Sequence, residues 1–140
     1  MAEAPMRHEF QVASRVESVP RSRHETAKVL CDWGLAGDVV DTACLIVTEL
    51  VANVVRHAAV LSPTAGVCLT ADADALTLTV SDTHPFKPRA LPTTHDQGGR
   101  GLRIVSALVA EVRGSHDVVP DGASGGKRIV VRLPLAPLPA

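Results

Sequence analysis

Between Ala43 and Val55 the chain is apolar except at Thr48, Glu49 and Asn53. Leu50, Val51, Val54 and Val55 suit a buried helix, where an uncompensated polar group costs roughly 2–7 kcal/mol. Any fold for this chain must bury most of that helix and still give Glu49 and Asn53 something polar to face. Glu49, Asn53 and His57 are spaced four apart and so lie along one line of the helix surface. Val40, Ala43, Cys44, Val47, Leu50, Val51 and Val54 fill the remaining faces. Two readings of the polar line stay open on these residues alone. It is either the solvated stripe that surface helices carry, or the border of a solvent-filled or ligand-filled cleft.

Composition narrows what the surrounding core can be. With two Phe, one Trp and no Tyr, the 140-residue chain must build its interior from Val, Leu, Ile and Ala, and it offers no base-stacking platform. A net charge of −1 argues against a nucleic-acid surface. The length fits one domain with one core, expected over residues 8–135 with flexible tails at 1–7 and 136–140. Cys31, Cys44 and Cys68 are odd in number and widely spaced, which favours small buried hydrophobes in a reducing compartment over metal or redox chemistry. The N-terminus, with Glu3, Arg7, His8 and Glu9, lacks an apolar signal core. No apolar run reaches about 18 residues, so no membrane span and a cytoplasmic location are expected.

The periodicity changes along the chain. Phe10 and Val12 alternate with polar neighbours over 9–14, a short strand. Ser18 as N-cap, Pro20 in the first turn and Gly34 as a stop predict a first helix, and a longer one is predicted over 38–59. Val67, Leu69 and Ala71, then Leu76, Leu78 and Val80, alternate on either side of a turn at 72–74, predicting a β-hairpin. Residues 83–99 hold three prolines and no periodicity, a long loop of the kind more often functional than idle. A third helix is predicted from Gly101, with Leu102, Val105, Val109 and Val112 on one face. Strands near 117–119 and from Lys127 complete the pattern.

Two further stretches carry chemistry. The second hairpin strand ends in LTVSD, placing Asp82 at the mouth of the long loop, either as a turn-starting Asp or as an acceptor for an exocyclic amine of a base. GGRGLRIV, at 98–105, opens the third helix with glycines, where close backbone approach and free amides attract phosphate. It lacks the Lys and Ser/Thr of a P-loop, and it comes too late for a Rossmann fingerprint.

In this order, TELVANVVRHA, VSDTHPFKP and GGRGLRIV resemble the N-box and two glycine boxes of the Bergerat-fold (GHKL) ATP-binding family. The resemblance is to the branch of anti-sigma-factor serine kinases and actinobacterial ATP-binding regulators, and it runs from about Phe10 to Leu133. It implies an α+β fold, a two-layer sandwich with a mixed, mostly antiparallel sheet and helices on one face. It also implies ATP and Mg²⁺ as cofactors. Asn53 would be the Mg²⁺ ligand and Glu49 the general base; Asp82 would read the adenine amino group. Gly99, Arg100, Gly101 and Leu102 would supply amides and a cation to the phosphates.

The chain departs from the family at His84 and Phe86, where the first glycine box usually has glycines. It departs again at Gly126, Lys127 and Arg128, where a Gly-Lys-Thr run is frequent. His57 is assigned a structural place near a helix C-terminus. The implied activity is a protein serine/threonine kinase that binds a sigma factor and phosphorylates a STAS-type anti-anti-sigma partner, as a possible homodimer. The alternative is a non-catalytic nucleotide-binding regulatory module of the same fold. A histidine kinase catalytic domain ranks third, for want of a dimerisation helix with an acceptor histidine.

Overall fold

The computed structural model describes residues 5–58, 63–82, 99–120 and 126–135, and in the helices it does not extend to the side chains of residues 57, 58 and 99–101. The elements run β1 (Met6–Ala13), α1 (Ser18–Asp32), α2 (Gly37–Ala58), β2 (Thr64–Ala71), β3 (Ala75–Asp82), α3 (Gly99–Glu111), β4 (Ser115–Pro120) and β5 (Lys127–Pro134). The five strands form one sheet in the order β1-β2-β3-β5-β4. Every pairing among the described residues is antiparallel, so the α+β expectation holds, with the described strands antiparallel throughout rather than mixed.

Alternation along the strands decides which face meets the helices. Val67, Leu69 and Ala71 of β2, Leu76, Leu78 and Val80 of β3, and Ile129, Val131 and Leu133 of β5 are buried in one cluster with the helices. The residues between them are half-buried or exposed. On the helix side, Leu30, Ala43, Ile46, Val47, Leu50 and Val51 have no exposed surface. As the near absence of aromatics requires, this core is aliphatic.

Local chemistry accounts for the boundaries. Gly34 takes φ +79° after α1, a conformation glycine adopts without strain. Its N–H bonds the Cys31 carbonyl and the N–H of Leu35 returns to Leu30, closing the helix end. Ser18 is not the N-cap. Glu17 occupies that position without a side-chain hydrogen bond, while Ser18 is buried inside the first turn and its carbonyl accepts from the Ser22 hydroxyl at 2.8 Å. β1 begins earlier than the alternation suggested, with Met6 and Arg7, expected in the leading tail, paired to Ala71 and Thr70. In α3, Val105 and Val109 are buried as expected, whereas Val112 at the helix end is exposed. Cys44 is buried and Cys68 half-buried, but Cys31 is exposed; all three are free thiols. Burial raises the Cys44 and Cys68 thiols above their ordinary value. The loop expected over 83–99 lies outside the described residues as far as 98.

Two expectations for stability follow. Leu50→Ala removes a side chain with no exposed surface from the contact of α2 with the core, and it should cost about 2–5 kcal/mol in urea unfolding. The hairpin turn depends on Asp72, whose Oδ1 accepts the N–H groups of Asp74 at 2.8 Å and Ala75 at 2.9 Å. These bonds hold its carboxyl below the ordinary 3.8. A lowered folded value means stabilisation that is present above 3.8 and is lost as pH falls through the folded value. The melting-temperature gap between wild type and Asp72→Ala should therefore narrow in acid. A gap constant across pH would show that the charge contributes nothing.

Candidate functional site

The polar line of α2 emerges from the core one turn at a time. Asn53 is buried, at 7% exposure, and Glu49 one turn earlier is half-buried. Thr48 points its hydroxyl back to the Cys44 carbonyl at 2.7 Å, which satisfies it within the helix. Among the described residues Asn53 Oδ1 has no hydrogen-bond partner. Two hydroxyls, those of Ser14 and Thr26, are also unpartnered, but Asn53 is the one that shares a line with a carboxylate. A buried amide oxygen left without a donor costs about 1–3 kcal/mol. Hard oxygen donors of this kind suit Mg²⁺, so the residue present fits the ion that the family implies. Among the described residues no cluster of three or more His, Cys, Asp or Glu side chains could hold a metal without such help.

Asp82 ends β3 in phase with Leu76, Leu78 and Val80, so its side chain faces the helix layer, 3% exposed. A buried carboxylate needs a partner, and β5 supplies it. The backbone N–H of Lys127 donates to Asp82 Oδ1 at 3.2 Å and its ammonium donates to Oδ2 at 3.1 Å. The lysine side chain is itself only 18% exposed. Gly126 makes this approach possible, because a Cβ there would press on the Asp82 carbonyl and come within 2.8 Å of Oδ1. The sequence reading treated 126–128 as the place of a missing threonine and assigned Lys127 no role. The signal was present in the alternation. KRIVVRLP puts Lys127 in phase with the buried Ile129, Val131 and Leu133, and an inward lysine calls for a carboxylate.

The glycine-rich stretch forms the start of α3. Gly99, Arg100 and Gly101 are its first residues, where helix amides lack intrahelical partners and the dipole favours anions. Leu102 follows, half-buried against the core, so what it can offer a ligand is backbone. His57 lies in the last turn of α2, and its side chain is outside the described residues, as are His84 and Phe86. A separate groove of about 570 Å³ lies on the sheet, lined by Arg7, Glu9, Cys68, Thr70, Ser81 and Arg128 among others. It opens away from the helices, on the strand face opposite the Asp82 side chain, and contains none of Glu49, Asn53 and Asp82.

The arrangement sets a paired carboxylate and ammonium at the end of the central strand. α2, whose polar line carries Glu49 and Asn53, packs against that strand and against α3. It thus offers acceptors for a base, an oxygen donor for a hard cation and a helix N-terminus for phosphate.

Comparison with known proteins bears on the family and the fold. Residues 12–132 match the family model of the histidine kinase-like ATPase domain. Among solved structures, the histidine kinase domain from the Erythrobacter litoralis EL346 blue-light activated histidine kinase is similar at 24% identity and a TM-score of 0.53, covering 69% of this chain and 44% of that one. The Acinetobacter baumannii histidine kinase AdeS is similar at 11% identity and a TM-score of 0.54, over 93% of this chain and 68% of that one. At such identities the likeness is one of fold, and the chain spans under half the length of the first. No curated protein sequence matches it. With a five-stranded antiparallel sheet and three helices among the described residues, and a family match over nearly the whole length, the chain belongs to the histidine kinase-like ATPase domain family of the GHKL superfamily, an ATP-binding fold.

Proposed function

We propose that this domain is an ATP-dependent regulator of the anti-sigma-factor kinase type, which binds a sigma factor and phosphorylates a serine on a small STAS-type partner. The observation that carries this reading is the pairing of Glu49 and Asn53 one turn apart on α2, with the Asn53 carbonyl oxygen buried and without a partner among the described residues. A carboxylate one turn from a metal-ligating amide suits transfer chemistry, where positioning and charge neutralisation do most of the work. In the reaction the partner's serine hydroxyl attacks the γ-phosphorus of ATP, the bond to the β-phosphate oxygen breaks, and ADP leaves. Glu49, half-buried and without a described partner, receives the hydroxyl proton. Asn53 would hold Mg²⁺, which would supply charge neutralisation at the phosphates. Asp82 accepts from the adenine amino group, while the first turn of α3 (Gly99, Arg100, Gly101 and the Leu102 amide) receives the phosphates.

Such a regulator works in the cytoplasm, as a homodimer in the branch it resembles. Among the described residues no helix is long and apolar enough to cross a membrane. The second reading, a module that holds nucleotide without transferring phosphate, draws on His84 and Phe86 in place of glycines. A transfer assay with radiolabelled ATP and the STAS proteins encoded with this chain separates the two, since only the kinase labels a partner.

Two substitutions test the roles. Asn53→Ala keeps the helix, Ala being the best helix former. It should abolish the enhancement of nucleotide binding by Mg²⁺, read by calorimetry and thermal shift. Unchanged Mg²⁺ dependence would make Asn53 a structural residue only. Glu49→Gln should bind ATP with Mg²⁺ nearly as the wild type does and lose on the order of 10²–10⁴ in phosphoryl transfer. Loss of binding as well as transfer would remove Glu49 from the base role.

A further inference from the structure

Lys127 is the charged side chain that the fold places where a nucleobase would be read, and nothing in the transfer chemistry above uses it. Its ammonium stands 3.1 Å from Asp82 Oδ2, and its own amide occupies Oδ1 at 3.2 Å. Both side chains are largely withdrawn from solvent. An ammonium carries three donors, and the bond to Asp82 engages one of them. The pair sets a carboxylate beside an ammonium.

We propose that Lys127 is a second base-reading residue, donating from its ammonium to adenine N1 while Asp82 accepts from the N6 amine. The proposal rests on the nucleotide-binding reading of this site and adds a residue to it. Adenine presents a donor next to an acceptor on its Watson–Crick edge, the complement of a carboxylate next to an ammonium. Guanine presents two neighbouring donors and one acceptor, and it needs both carboxylate oxygens. Here Oδ1 already accepts the Lys127 amide, so guanine leaves a donor poorly met, a mismatch that polar sites reject strongly. Gly126 belongs to the same device, since any side chain there would push β5 off Asp82.

The competing explanation is that Lys127 only neutralises a buried carboxylate. Ligand atoms distinguish the two, because a purely structural lysine is indifferent to what stands at position 1 of the ring. The experiment titrates the wild-type chain and Lys127→Met, by calorimetry with Mg²⁺, with ATP, 1-deaza-ATP, 7-deaza-ATP and GTP. For the wild type, ATP and 7-deaza-ATP should bind alike, and 1-deaza-ATP about ten- to a hundredfold more weakly, the worth of one hydrogen bond to a charged group. GTP should bind more weakly than ATP. In Lys127→Met the preference for ATP over 1-deaza-ATP should fall to near unity. Equal binding of ATP and 1-deaza-ATP by the wild type overturns the proposal while leaving nucleotide binding intact. So does a Lys127→Met protein that keeps the full preference, since another donor then reads N1. If Lys127→Met does not fold because it leaves a buried carboxylate unpaired, the double variant Asp82→Asn/Lys127→Met, which buries no charge, takes its place in the same comparison. If the wild type binds no adenine nucleotide at all, the reading beneath the proposal fails with it.

Discussion

Burial of α2 is the constraint on which the other features depend. The helix packs against α1, α3 and β3, with Ala43, Ile46, Val47, Leu50 and Val51 wholly removed from water. In a chain with so few aromatic side chains, aliphatic contacts of this kind oppose the entropy of ordering the fold. It also fixes the azimuth of the helix. Once those five residues face inward, a rotation that exposed Ile46, Val47, Leu50 and Val51 together would cost several kcal/mol, on the order of 1.5–3 for each side chain. Glu49 and Asn53 therefore hold their places as a consequence of core packing.

The same core sets the terms for Asp82. A carboxylate at 3% exposure is tolerated because β5 brings both an amide and an ammonium to it, and charge-assisted bonds of this kind are about twice as strong as neutral ones. Removing one partner from such a pair leaves an uncompensated charge, which is far more damaging than never having had the pair. Asn53 shows the opposite solution, a buried polar atom for which the described residues provide nothing. One group is satisfied by the fold and the other by none of the described residues, and both belong to elements that the core has already positioned.

Much of this was legible in the sequence wherever one face of an element is buried and the other is not. The hairpin from β2 to β3 matched its alternation, because period-2 patterning and an Asp-rich turn leave one register that keeps Val67, Leu69, Leu78 and Val80 together. The end of α1 was equally plain, since Gly34 is a natural occupant of a positive φ. The start of α1 was not, because Ser18 has the chemistry of a cap and yet is buried by the packing of its own helix. Only tertiary structure decides between those two uses of a serine. The early start of β1 was hidden for a related reason. Arg7 and Glu9 are edge-strand residues that bond each other in solvent, and they carry no apolar signature. For the site, the spacing of Glu49 and Asn53 and the glycines before α3 could be read along the chain. The Asp82–Lys127 pair joins residues 45 positions apart, and it became visible only when β3 and β5 were side by side.

Strand order has a bearing on how the two ends of the site move. β3 is hydrogen-bonded to β2 on one side and β5 on the other, while β1 and β4 are edges. An amide in β3 can exchange with solvent only when two ladders open, so its exchange should follow global unfolding. Edge strands open at lower free energy. Asp82 is the last residue of β3. Gly99 and Arg100 begin a helix and have no ladder on either side. On the proposed reading, the base-facing end is thus attached to a doubly bonded central strand, whereas the phosphate-facing end rests on the first turn of a helix.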